Sequence, residues 1–261
     1  MVKRLQNRGF SLAEVMMAAG ILAIGFVFIA GVFPVGVKLT AIATEQTIAP
    51  IVADEAFAKI RLYADPNFVG YLNYAQSQSP TEYINFADVL NIPHDHDEFT
   101  YPSADISPEP KRYHWSAFCG LLDGNVHITV FVTRISGAST RFRTHESDYN
   151  QLSYGQADTS EFGDRPVPVR VGVTASGAVI LTIDPGDETY INAGSTIVDD
   201  SMGWQIYRVL DRIHDDVNDV IVIVLDRDWE GPANGYIWVV PPAVGSSRNP
   251  GIGVYQRVVS F

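Results

Sequence analysis

The first part of the chain is strongly apolar, and its length suits a membrane helix. No charged residue occurs at positions 15–37, a run of 23 residues. As a helix this run extends about 34 Å at ~1.5 Å per residue, which is enough to cross a bilayer core of ~30 Å. The basic residues Lys3, Arg4 and Arg8 precede it without an accompanying acid, and this favours a cytoplasmic N-terminus. The pattern predicts a membrane-spanning half-helix at residues 10–37.

After Lys38 the apolar residues follow the period of an amphipathic helix, and most charged residues fall on other faces. The apolar positions are Leu39, Ile42, Ala49, Val52, Ala56, Ile60 and Tyr63. Asp65-Pro66 marks the end, because proline cannot continue a helix. We therefore expect one helix over residues 10–63, whose amphipathic second half at 38–63 packs its apolar face on the rest of the chain. Pro34 should kink or loosen this helix, because it removes one backbone hydrogen bond.

The region 64–165 combines irregular stretches with a clear hairpin pattern. Frequent prolines indicate irregular structure up to about Pro110, apart from a short helix expected at residues 80–90. Apolar and polar residues then alternate with period two over residues 113–133, and residues 121–125 carry a turn signal. This pattern predicts a β-hairpin that lies against the long helix.

The region 166–261 is rich in short apolar segments separated by turn residues. The candidate strands are 167–174, 178–184, 205–213, 220–226, 236–240 and 253–259, with turns at 175–177, 184–186 and Asn234-Gly235. Their spacing near ten residues predicts a small antiparallel barrel or sandwich, whose last strand returns to the first sheet. The fold class is therefore α+β: a long N-terminal helix packed on an antiparallel β-sheet, with an additional C-terminal β-rich module.

The segment in front of the apolar run carries a specific motif. Arg8-Gly9-Phe10-Ser11-Leu12-Ala13-Glu14-Val15 resembles the class III signal of type IV prepilins and type II secretion pseudopilins, and the resemblance covers about the first 60 residues. In that family a prepilin peptidase cuts after the glycine and the new N-terminal residue is methylated. The resemblance implies a leader peptide at residues 1–9, cleavage between Gly9 and Phe10, and N-methylation of Phe10. It also implies a pilin-type globular region at residues 64–165.

Glu14 is unusual because it stands at the membrane-entry end of the apolar run. A carboxylate carried deep into a bilayer costs about 2.5–3.5 kcal/mol, so such residues are functional candidates. The residue alone also fits a headgroup-level carboxylate that stabilises the helix N-terminus. The resemblance implies an assembly role: Glu14 matches the glutamate that meets the terminal amine of a neighbouring subunit. Pairing lowers the cost of burying both charges.

Charge and cysteine content narrow the possible functions. Thirty acidic residues against eighteen lysines and arginines give a net charge of −12, so no nucleic acid partner is expected. Cys119 is the only cysteine, which excludes an intramolecular disulfide and a multi-cysteine metal site. Its place on a predicted strand indicates an ordinary buried thiol.

Catalytic motifs are missing from the sequence, and we expect a protein that is not an enzyme and has no catalytic residues. Acids cluster at several predicted turns, and calcium binds such carboxylates, so Asp226, Asp228 and Glu230 are the candidate metal ligands. The alternative is that aspartate favours turns for local hydrogen bonding, with no cofactor bound. The segment His94-Asp95-His96-Asp97-Glu98 is either a metal ligand set or a solvated polar loop.

The resemblance implies a structural subunit of a type IV pilus or a type II secretion pseudopilus, minor or specialised because its β-rich module is large. Its partners would be prepilin peptidase, identical or related pilin subunits, and the inner membrane. As a prepilin it would have a cytoplasmic N-terminus and a periplasmic C-terminal domain, and it would then join a periplasmic or cell-surface filament. Two alternatives stay open: a filament-displayed adhesin or binding module, and a membrane-anchored periplasmic protein with an uncleaved anchor.

Overall fold

The computed structural model describes residues 11–64, 67–78, 83–90, 97–103, 111–135, 140–143, 162–201, 203–246 and 248–260. The elements in chain order are α1 Leu12–Tyr63, α2 Phe68–Gln78, β1 Ile84–Asn85, α3 Phe86–Leu90, β2 Thr100–Tyr101, β3 Tyr113–Leu122, β4 Asn125–Arg134, β5 Phe142–Arg143, β6 Phe162–Gly163, β7 Val169–Ala175, β8 Ile180–Ile183, β9 Thr196–Asp199, β10 Ile206–Asp215, β11 Val220–Leu225, β12 Asn234–Val239 and β13 Gly251–Val259. Short 3-10 helices occur at Asp97–Phe99 and Pro185–Tyr190. The chain divides into two units, Met1–Thr47 and Ile48–Phe261.

The predicted long helix is confirmed. α1 runs for 52 residues and ends at Tyr63, two residues before Asp65 of the predicted stop signal. It stays helical through Pro34 and Pro50. Its residues up to Thr47 belong to the first unit, and its last sixteen residues belong to the second.

The second unit contains an antiparallel sheet with the order β1-β3-β4-β13, and β2 pairs with the free part of the β3 edge. The predicted hairpin is formed by β3 and β4, joined by Asp123 and Gly124. Both turn residues have positive φ angles, 53° and 77°, as a two-residue type I′ turn requires. Glycine and aspartate tolerate this conformation better than most residues, so the local sequence selects the turn and with it the register.

One face of this sheet packs on the end of α1. The helix contributes small and branched side chains, and the strands contribute their inward positions: Ala49, Val52, Ala53, Ala56, Ile60, Trp115, Ala117, Cys119, Val126, Ile128, Val130 and Val132. Alanines on the helix let the backbone approach the sheet closely. Cys119 is fully buried in this cluster, as the strand pattern predicts, and burial raises the pKa of its thiol.

The other face of the sheet packs on a closed barrel. Six antiparallel strands form this barrel in the order β10-β11-β8-β7-β12-β9, and closure leaves no free edge strand. Its interior is filled by alternate side chains of every strand, among them Val171, Leu181, Ile197, Tyr207, Ile223 and Ile237. Phe118 and Phe131 of the sheet contact Val198, Trp238 and Val240 of the barrel, which explains why β3 and β4 are buried on both faces.

The barrel is inserted in the connection between two neighbouring strands of the sheet. β4 precedes it, β13 follows it, and these two strands pair antiparallel from Val126 with Val259 to Thr133 with Gly251. The predicted return of the last strand to the first sheet is therefore confirmed. The C-terminal region 166–261 is shared between the barrel and the sheet.

Three local predictions are wrong, one of them only in part. Part of the stretch expected to be irregular forms α2, which is anchored by Phe68, Leu72 and Ala75 on one buried face. The helix expected at residues 80–90 is confirmed for its last five residues, which form α3. Ile84 and Asn85 instead pair with β3, so a tertiary contact overrides helix propensity there.

The third error concerns Asn234-Gly235, which lies inside β12 and pairs with Thr174 and Val173. The chain bends earlier, at Gly231 and Ala233.

Strand β9 was also not expected. It has only four residues, too few to show a clear period of two.

Candidate functional site

The N-terminus of α1 is capped by a reciprocal pair of hydrogen bonds. The backbone N–H of Glu14 donates to Ser11 Oγ at 3.2 Å, and the backbone N–H of Ser11 donates to Glu14 Oε2 at 2.9 Å. This is a capping box, in which two helix-end donors are satisfied by side chains. Glu14 therefore has a structural partner in its own chain, and its side chain is exposed. The predicted cleavage residues Gly9 and Phe10 lie outside the described residues.

The surface of α1 behind this cap is apolar and uncovered within the first unit. Every residue from 11 to 40 is exposed. Among the described residues, α1 is the one helix that is long and apolar enough to cross a membrane, and no part of its most apolar window is buried. A core helix of a soluble domain would have this surface covered. The side chains of α1 thus need a partner that the first unit does not contain.

Small residues interrupt this apolar surface. A Cβ atom added at Gly20, Gly25, Gly31 or Gly36 would meet nothing within 4 Å. Glycine costs about 1 kcal/mol relative to alanine in a helix, so packing inside the first unit does not account for it at these positions. Small residues in membrane helices allow neighbouring helices to approach closely.

Three threonines that follow donate their hydroxyl hydrogen bonds to the backbone of the helix. The hydroxyls of Thr40, Thr44 and Thr47 donate to the carbonyl oxygens four residues earlier, each at 2.9 Å. Such bonds let hydroxyl side chains sit on an apolar helix without unpaired donors, and they often bend the helix. Pro34 leaves α1 helical on both sides, and the kink at this position stays a prediction.

The candidate metal ligands are not brought together. Among the described residues, no group of three or more histidine, cysteine, aspartate or glutamate side chains is placed to hold one metal ion, so Asp226, Asp228 and Glu230 form no such set. Asp226 instead accepts a hydrogen bond from the backbone N–H of Arg208 at 2.9 Å, which is the turn-stabilising alternative.

The histidine-rich segment is described only in part. His94, Asp95 and His96 lie outside the described residues. Glu98 pairs with Lys59 of α1, whose ammonium group lies 2.7 Å from a carboxylate oxygen of Glu98. Lys59 also donates to the carbonyl oxygen of Glu98. This contact ties the segment to the end of the helix.

The contact between barrel and sheet contains a buried ion pair that the sequence did not indicate. Arg170 Nε lies 2.8 Å from Asp200 Oδ2, and the Asp200 side chain is fully buried. Asp200 Oδ1 accepts the backbone N–H of Tyr83 at 3.3 Å, so one carboxylate joins the barrel to the segment before β1. The Arg170 guanidinium also stacks on Tyr236, 3.6 Å from the ring centre. Burial raises the pKa of Asp200 to about 6, and the Arg170 charge opposes this rise.

Trp204 packs between aromatic rings in the same contact between barrel and sheet. Its ring lies 4.3 Å from that of His127 and 5.1 Å from that of Tyr83, between centroids. Its carbonyl oxygen accepts a hydrogen bond from Gln256 of β13 at 2.7 Å. Its φ angle is +43°, a conformation that is rare for bulky residues and is held here by the surrounding contacts. Barrel and sheet are therefore fixed to each other by specific polar and aromatic contacts.

The comparisons with known proteins add no relative: no family model, curated protein or solved structure matches this chain.

Proposed function

We propose that the chain is a pilin-like structural subunit of a type IV pilus or a type II secretion pseudopilus, which polymerises through its N-terminal helix. The observation that carries this proposal is the N-terminal part of α1. It is an apolar helix, free of charge over residues 15–37 and exposed over residues 11–40, that begins at the Ser11–Glu14 cap directly behind the Gly9-Phe10 motif. In a membrane the exposed surface is covered by lipid. In a filament it is covered by the helices of neighbouring subunits.

Two further features support assembly over simple anchoring. A plain anchor needs no carboxylate at its membrane end, and a carboxylate carried into the bilayer is costly unless a charge of opposite sign meets it. The glycines of α1 have open space around them, which suits close contact with other helices and is not required for contact with lipid.

We propose a specialised subunit because the barrel is an addition to the part that would polymerise. It is inserted between β4 and β13 and packs on the sheet face opposite to the end of α1. In this arrangement the barrel does not cover the face of the sheet on which the end of α1 packs. In the proposed filament the barrel is displayed on the opposite face.

In this proposal prepilin peptidase removes residues 1–9 at the inner membrane and Phe10 is methylated. The domain that follows α1 is periplasmic, and the subunit then joins a periplasmic or cell-surface filament with identical or related pilin subunits. No catalytic step or cofactor is part of the proposal, and no nucleic acid is a partner.

The test is intact mass measurement with N-terminal sequencing of the protein purified from its own cells. A chain that begins at Phe10 and carries one added methyl group is expected. Gly9→Val should abolish cleavage, because the peptidase must approach the backbone at this residue, whereas the matched variant Gly20→Ala should be cleaved normally. A wild-type chain that still begins at Met1, in cells with an active peptidase, would refute the proposal.

A further inference from the structure

The β10–β11 hairpin carries an apolar surface on the outside of the barrel. Ile221, Ile223 and Leu225 point into the barrel core, so the alternate residues of β11 point outward. Across the hairpin Val222 is paired with Ile213, and on the other side Val224 is paired with Ile180 of β8. Val222 and Val224 share one face of β11, so these outward residues form a diagonal apolar strip across three strands. The other cross-strand partners of the two valines are Thr182 and Asp211.

Several apolar side chains at the ends of the strip are more than half exposed and are not covered by other parts of the described chain. Ile213 is 51% exposed, and Val217 at the hairpin tip is 91% exposed. A register shift between Val209 and Asp211 adds one residue to β10, and this residue, Leu210, is 57% exposed. Bulges of this kind redirect a side chain, and here an apolar side chain is redirected to the surface.

Carboxylates surround the strip. Asp211 and Asp215 lie on β10, and Asp216 and Asp219 lie in the turn. Hydrogen bonds from the backbone N–H groups of Val217 and Asn218 and from the Asn218 side chain stabilise the charged form of Asp215 and lower its pKa. The sequence of the hairpin contains no lysine.

Two of the three basic side chains of the hairpin are engaged, and the third, Arg208 near the start of β10, is exposed. Arg212 donates to the carbonyl oxygens of Glu188 and Ile191, and its guanidinium lies 3.4 Å from the Glu188 carboxylate. His214 lies 3.6 Å from a carboxylate oxygen of Asp216. The rim of the strip is therefore predominantly negative.

The position of this surface in the fold leaves it accessible. The barrel contacts the sheet through residues on or next to β9 and β12. In the closed order β9-β10-β11-β8-β7-β12, strands β11 and β8 are the farthest from that pair. The apolar strip thus lies on the barrel wall opposite to the sheet.

We propose that the outward face of the β10–β11 hairpin is a docking surface for another protein, through a segment in which lysines or arginines flank apolar side chains. Basic side chains match the acidic rim, and apolar side chains cover Ile213, Val217 and Val222. The same rim repels anionic lipid headgroups and nucleic acid phosphates. The proposal depends on the barrel alone, so it holds for a filament subunit and for an anchored protein alike.

The test is site-specific photo-crosslinking of the full chain in its own cells. A photoreactive phenylalanine analogue replaces Val217, and a matched control carries it at Ala233, which is exposed in the loop before β12. We expect a crosslinked protein from position 217 and not from position 233. Mass spectrometry should place the crosslink in a partner segment with lysine or arginine beside apolar residues.

Charge reversal makes the test specific. In the background of the Val217 crosslinker, Asp216→Lys together with Asp219→Asn should lower the crosslinking yield about fivefold, because rim charges act mainly on association. Both residues are highly exposed, and asparagine tolerates the positive φ of 49° at position 219, so the thermal unfolding midpoint should stay at the wild-type value. Equal yields from positions 217 and 233, no crosslink from position 217, crosslinks to lipid or to another copy of this acidic chain, or a yield unaffected by charge reversal would each overturn the proposal.

Discussion

In the barrel, large apolar side chains such as Leu181, Ile223 and Ile237 are fully buried, and every wall strand has two paired neighbours. In the first unit, side chains of the same kind on α1, such as Ile21 and Phe28, are more than three-fifths exposed. Both regions are rich in large apolar side chains, but the barrel buries them within the chain and the helix does not. Hydrophobicity therefore specifies a fold in one region and an external environment in the other.

The largest expected effect concerns the neighbouring helices that would cover the apolar surface of α1 in a filament. Glu14→Gln should abolish filament formation, because the amide keeps a hydrogen-bond acceptor for Ser11 but loses the charge that would pair with a terminal amine. Ser11→Ala removes the cap and keeps the charge, so it should cost about 1 kcal/mol of helix stability and leave assembly intact. Electron microscopy of sheared filaments, with membrane fractionation to verify insertion, measures both.

The two variants also separate the two roles of Glu14. If Glu14→Gln assembles normally and Ser11→Ala does not, then the carboxylate acts only as a helix cap. The charge of Glu14 would then play no part in assembly, and the apolar surface of α1 alone would hold neighbouring helices together.

The next effect concerns the contact that holds the barrel to the sheet. Arg170→Met leaves the Asp200 carboxylate buried without its counter-charge, and breaking a buried pair in this way costs about 3–5 kcal/mol. Urea unfolding of the full chain in detergent, followed by tryptophan fluorescence, measures this loss. Arg208→Met is the matched control on the exposed surface of β10 and should change stability by less than about 0.5 kcal/mol.

The cost of Arg170→Met should also depend on pH. The native pKa of Asp200 is raised to about 6, above its ordinary value, so protonation of this group stabilises the folded state below that pH. Without Arg170 the pKa rises further, because burial is then unopposed. The variant should therefore lose more stability relative to wild type at pH 8 than at pH 5. An equal loss at both values would mean that packing on Tyr236, and not the charge, accounts for the role of Arg170.

The sequence predicted the parts of the fold that have long local periods. α1, the β3–β4 hairpin and most barrel strands show regular spacing of apolar residues, and Asp123-Gly124 identifies its own turn. Closure of the barrel depends on β9, a four-residue strand whose pairing with β10 and β12 is set by tertiary contacts. The short local pattern of β9 contains no information about those partners.

The same distinction applies to the functional residues. Glu14 could be chosen from sequence as a candidate because its neighbours Gly9, Phe10 and Ser11 form one compact motif. Asp200 meets Arg170 from 30 positions away and Tyr83 from 117, so only the folded chain brings them together. The adjacent acids Asp199 and Asp200 at the end of an apolar strand are the one local signal that could have marked this site.

The smallest expected effect concerns the β3–β4 turn, where the local sequence alone determines the structure. Gly124 has a φ angle of 77° with open space around its Cα, so Gly124→Ala should be destabilised by about 1 kcal/mol through backbone strain and not through a clash. Gly172 of β7 lacks this positive φ, and an added Cβ would make only ordinary contact with Tyr236 at 3.8 Å. Gly172→Ala should therefore be neutral or slightly stabilising in the same urea titration. If both variants lose equal stability, the turn contributes little to the hairpin register. Packing against α1 and the barrel would then set the register, and even this hairpin would be a product of tertiary contacts.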